Sequence, residues 1–104
     1  MEAARFHASL AEESPPQGSA PLTQALWHDA RGDWGRAHAI VQSQQGARAA
    51  AVHAYLHRKE GDLANADYWY ARADSARPDI ALEAEWRRLL DAELRAEDAS
   101  AQAP

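Results

Sequence analysis

The sequence predicts an all-α protein built of antiparallel helical hairpins, and three observations carry that expectation. Alanine, the strongest helix former, supplies 26 of the 104 residues. Val and Ile, which favour strands, number only two each. Apolar residues recur at helical spacing through five segments, and Gly, Asp or Pro separates each segment from the next.

The elements follow in chain order. Residues 1–13 place Ala3, Phe6 and Leu10 on one stripe, as a short amphipathic helix does. Ser14 to Pro21 holds three prolines and Gly18, which forbid a continuing helix, so residues 1–21 read as an N-terminal segment with a proline-rich linker. The helical domain spans 22–98. Its first helix, about Leu22 to Arg31, carries Leu22, Leu26 and Ala30, and stops at Gly32. Asp33 is placed to cap the second, which carries Trp34, Ala37 and Val41 and ends near Gly46. A third, about Ala47 to Glu60, has the stripe Ala49, Val52, His53 and Leu56. Gly61-Asp62 repeats the stop-and-cap signal, and a fourth runs from Leu63 to about Ala76 with Leu63, Ala66, Tyr70 and Ala73 inward. After Pro78 and Asp79, a last helix carries Leu82, Trp86, Leu89, Leu90 and Leu94 and acts as the C-terminal cap of the domain. Residues 99–104 have nothing to pack and are expected to be disordered. Connections of one to three residues make consecutive helices fold back on one another.

Composition narrows the function classes. Without the alanines only 22 larger apolar residues remain, so the core must be thin. No cysteine is present, which removes disulfides, thiolate metal sites and thiol nucleophiles. The net charge of −5 lacks the basic footprint of a nucleic-acid-binding protein, and no apolar run is long enough to cross a bilayer. Charge is also uneven: residues 79–104 hold seven acidic and three basic side chains, whereas 47–78 hold four and five. The N-terminus shows no secretory signal pattern. Ten arginines against the single Lys59 fit a GC-rich coding bias. The expected placement is a soluble cytoplasmic bacterial protein. Phosphate-binding glycine motifs and a nucleophile elbow are absent, so no catalytic residue is assigned.

An internal repeat organises the domain. Laying Gly32-Asp33 on Gly61-Asp62 sets Leu26-Trp27-His28 on Tyr55-Leu56-His57, Trp34 on Leu63, Ala37 on Ala66, and Ile40-Val41 on Trp69-Tyr70. Repetition of a helix-turn-helix unit is the mark of an α-solenoid. The second unit, Ala50 to Pro78, resembles a tetratricopeptide repeat. Ala54 stands at the small position of the first helix and Gly61-Asp62-Leu63 at the turn. Ala66, Tyr70, Ala73 and Pro78 stand at the small, aromatic, small and proline positions of the second helix. The first unit departs from that pattern at Val41, Gln44 and Ala49. The segments Leu26–Trp34 and Val52–Tyr70 also resemble a family of small uncharacterised bacterial proteins, a likeness that implies no activity.

The resemblance implies a non-catalytic protein-interaction module, with Arg48, Tyr55, Arg58 and Lys59 lining a concave groove. Arginine and lysine beside a tyrosine suit a protein or acidic peptide. Tyr68, Trp69 and Tyr70 point about 100° apart on one helix, which leaves Tyr68 as the exposed ring and a contact for a partner or for a homodimer. The alternative reading, a metal-binding protein or small metalloenzyme, rests on histidine: His28, His38, His53 and His57, with Asp29, Asp33 and Asp67 nearby. His53 and His57 are four apart on one helix face, and His28 is the repeat equivalent of His57. Stacked units would then gather His28, His53 and His57 around a divalent transition metal such as zinc. Packing of these rings against neighbouring carboxylates or carbonyls is the plainer use of the same residues, as is solvation of the basic face near a helix C-terminus.

Overall fold

The computed structural model describes residues 1–102, and the secondary structure there is entirely helical. The helices are α1 (Ala3–Ser9), α2 (Pro21–Ala30), α3 (Trp34–Gln42), α4 (Ala47–Glu60), α5 (Leu63–Arg72) and α6 (Leu82–Gln102).

Two turns of the same build set the repeat. After α2, Asp33 N–H donates to the carbonyl of His28 and Gly32 N–H to that of Asp29; after α4, Asp62 donates to His57 and Gly61 to Arg58. This pairing satisfies the last carbonyls of each helix and requires a left-handed residue, so glycine stands at φ +84° and +92°. The aspartate that follows then caps the next helix, Asp33 accepting from Arg36 N–H and Asp62 from Asn65 N–H. Close approach comes from alanine. Ala25 and Ala37 are fully buried where α2 meets α3, and their repeat equivalents Ala54 and Ala66 are fully buried where α4 meets α5.

Helix α3 packs on α4 as well, so α2 to α5 form a continuous stack. The long helix α6 lies across α2 and α4, with α1 packed on its outside. The main core sits in that layer, where Leu26, Trp27, Val52 and Leu56 meet Trp86, Leu90 and Leu94. Each such large side chain removed from water contributes roughly 1.5–3 kcal/mol. Trp86 also donates its indole N–H to the Leu26 carbonyl at 3.1 Å.

Residues 1–13, whose docking the sequence leaves open, pack on the domain: Phe6 is fully buried, with its ring 6.0 Å from that of Trp86, and Pro21 is the first residue of α2. Proline suits that position because its missing N–H would have no helical partner there. Helix α5 stops at Arg72 rather than Ala76, because Asp74 takes a left-handed φ of +56° and turns the chain away. Helix α6 runs on to Gln102, so residues 99–102 are helical instead of disordered; Ala103 and Pro104 lie outside the described residues. Alanine at 99 and 101 continues a helix already nucleated by the packed turns before it.

Candidate functional site

The basic face expected to line a groove meets the chain's own α2 and α6. Tyr55 is buried, and its hydroxyl donates to Asp29 Oδ2 at 2.9 Å. Lys59 Nζ reaches the other oxygen of Asp29 at 3.0 Å. Arg58 Nη1 bonds Glu85 Oε1 at 2.7 Å, and its second amino group bonds the Ile80 carbonyl. Arg48 lies 3.4 Å from Glu93 and keeps an exposed guanidinium. The carboxylates of Asp29, Glu85 and Glu93 are all buried, so these cations neutralise charge within the fold. Arg58 still lines an open cleft with Tyr70 and Asp79, and Tyr55 and Lys59 line another with Trp86. Burial, then the adjacent Asp29 charge, pushes the Tyr55 hydroxyl above its usual range, and burial with the Glu85 hydrogen bond does the same at Tyr70. Glu93 is raised as well, by burial, with Arg48 acting against the shift.

Tyr68 is exposed, as its position opposite Tyr70 requires. The Arg72 guanidinium lies 5.6 Å from its ring and 5.5 Å from that of Trp69. Leu63 is not inward as the helical spacing suggested: at the first turn of the same helix it projects beyond α4 and is the other exposed large apolar residue among those described.

Histidines converge on the opposite side of α4. The short connection 43–46 folds α4 back along α3, and His38 Nε2 and His53 Nε2 stand 3.1 Å apart between the two helices. One turn further along α4, the His57 ring lies 4.9 Å from that of His53 and 5.1 Å from that of His38. One ring nitrogen from each of the three falls within 4.8 Å of the others. His57 Nδ1 pairs with Glu60 Oε2 at 2.6 Å, which leaves its Nε2 as the nitrogen free of that carboxylate. Indoles hold the rings in place: Trp34 stacks on His38 at 4.8 Å, and Trp69 stacks on His53 at 3.9 Å. Trp34 is itself fixed by a 2.7 Å bond from its N–H to the Leu56 carbonyl.

Burial, followed by the neighbouring imidazoles of His57 and His38, pushes His53 down to about 4, and His38 is lowered by burial and then by His57. Both rings are neutral at neutral pH, so the 3.1 Å pair is an N–H···N bond in which one ring donates and the other accepts.

His28 does not join this cluster. Its ring stands edge-on to Trp27, and burial followed by the Arg36 charge lowers it. It lies on α2, whereas the cluster forms between α3 and α4. His38 takes the place expected for His28. The missed signal was local: His38 lies four residues after Trp34, as His57 lies four after His53, and a four-residue connection sets α3 against α4. Glu60 was missed because its role depends on which nitrogen of His57 faces inward. Compared with protein-family models, curated proteins and solved structures, the chain matches none.

Proposed function

We propose that this chain is a non-catalytic protein-interaction module made of two tetratricopeptide-like antiparallel hairpins, α2–α3 and α4–α5, and that its partner is a second copy. Support for the hairpin reading comes from the equivalent turns at Gly32 and Gly61 and from the equivalent alanine contacts. A stack of two units has an open end, since each unit buries its face against a neighbour. Here that end is α5, whose backbone packs along α4 and which reaches α6 through the Tyr70–Glu85 hydrogen bond.

One observation carries the proposal: the exposed large apolar side chains among the described residues, Leu63 and Tyr68, both lie on α5. Its outward stripe is Ala64, Tyr68 and Ala71, a large ring between two small residues at helical spacing. Such a stripe is self-complementary, because the ring of one copy fits the alanine hollow of the other, as a two-fold contact requires. Residues 47–78 hold five basic against four acidic side chains, so this half of the molecule repels a copy of itself least.

Sedimentation velocity over a range of concentrations tests the proposal. The expected result is a reversible dimer that Tyr68→Glu disperses without a change in melting temperature. A wild-type chain that stays monomeric at high concentration, or a Tyr68→Glu variant that dimerises equally well, would contradict it.

A further inference from the structure

The geometry points to a transition-metal site formed by His38, His53 and His57, independent of the α5 contact. Three imidazoles from two helices offer nitrogens within 4.8 Å of one another. The one fixed edge, His38 Nε2 to His53 Nε2, measures 3.1 Å. Two ligands of a tetrahedral zinc ion, each about 2.0–2.1 Å from the metal, stand roughly 3.3 Å apart. Binding at that edge therefore needs the donor ring to change tautomer, its proton moving from Nε2 to Nδ1, and a shift of a few tenths of an ångström. His57 completes the set one turn away on the same face of α4.

Features around the rings match what a metal-bound imidazole needs. Glu60 pairs with Nδ1 of His57 and so leaves its Nε2 as the nitrogen open to a metal, the carboxylate-histidine arrangement that orients metal ligands. Trp34 and Trp69 stack on His38 and His53 and restrict ring rotation, so little ordering remains to be done on binding. His53 and His57 are each 6% exposed, which screens the site from bulk water. Three neutral nitrogen donors select Zn²⁺, Co²⁺, Ni²⁺ or Cu²⁺ over Mg²⁺ and Ca²⁺, which prefer oxygen. Three protein ligands leave a fourth position for water or a small donor, as in zinc sites that keep an open coordination position.

The test uses untagged, chelator-treated full-length protein, with Zn²⁺ and Co²⁺ as probes. Calorimetry is expected to show one Zn²⁺ per chain, with a rise in melting temperature, and Co²⁺ is expected to give the intense visible bands of a four-coordinate ion. His38→Gln should weaken Zn²⁺ binding at least tenfold, and Glu60→Gln by roughly 10–100-fold, as loss of an orienting partner does. His28→Gln should leave it unchanged. Circular dichroism verifies the fold of each variant, and the Co²⁺ spectrum needs no variant at all. The proposal is overturned by the weak spectrum of six-coordinate Co²⁺, by absence of a Zn²⁺ isotherm, or by equal affinities in wild type and folded His38→Gln.

Discussion

The hydroxyl of Tyr70 on α5 donates to Oε2 of Glu85 on α6 at 2.6 Å, while Arg58 of α4 holds the other oxygen of that carboxylate at 2.7 Å. Three helices thus share one buried carboxylate. Removing it strands a largely buried guanidinium, so Glu85→Ala is expected to cost about 3 kcal/mol in urea unfolding. Tyr70→Phe, which deletes one bond and keeps the ring, should cost about 1–2 kcal/mol. Equal losses for the two would place the effect in packing and not in the charge.

The repeated turns give a paired expectation. Gly32 and Gly61 sit at φ +84° and +92° in equivalent turns, so Gly32→Ala and Gly61→Ala should each lose about 1–2 kcal/mol. Gly35 lies within α3 with open space where its Cβ would stand, so Gly35→Ala should gain about 0.5–1 kcal/mol. Chemical denaturation of the three variants separates turn strain from helix propensity, and a loss at Gly35 equal to that at Gly61 contradicts this assignment.

Acid destabilises the metal-free protein through the histidine cluster. His53 is held near 4 in the fold against an ordinary 6.5, so between those values the unfolded chain binds the proton that the folded chain rejects. This contribution to stability is complete above about pH 6.5, falls through the window, and amounts to a loss on the order of 2 kcal/mol at its lower end. His38, also lowered, acts in the same direction. Glu93, raised, acts oppositely, since the fold favours its protonated form. Urea midpoints at neutral pH and at about pH 4.5 should show the decline, and His53→Gln should flatten it. A midpoint that does not move with pH would show that the ring takes up its proton inside the fold.

Docking of α1 is a matter of one side chain. Phe6 is fully buried against Trp86, and Phe6→Ala should cost about 3–5 kcal/mol by the cavity it leaves. An unfolding midpoint matching the wild type would mean that α1 lies free of the domain.

Much of the helical framework was legible because local chemistry decides it. Gly32-Asp33 and Gly61-Asp62 encode both a stop and a start, and the structure uses both as such. Ala37 and Ala66 were readable as close contacts from their equivalence in the repeat. Tertiary partners were not legible. That Asp29 would take Tyr55 and Lys59, or Glu85 take Arg58 and Tyr70, depends on α6 crossing α2 and α4, which no local pattern specifies. The histidine set failed by one member for a related reason: repeat equivalence marks residues with the same local role, whereas convergence depends on which helices are neighbours.

Tyr55 and Arg58 are bonded to α2 and α6, and the proposed contact with a second copy lies on α5. Chemical-shift mapping of the full-length protein as its concentration is raised tests this residue by residue. The account predicts that the signals of Leu63, Ala64, Tyr68 and Ala71 move with concentration, while those of Tyr55, Glu85 and Leu90 stay fixed. Movement at Tyr55, Glu85 and Leu90 with α5 unaffected would contradict it.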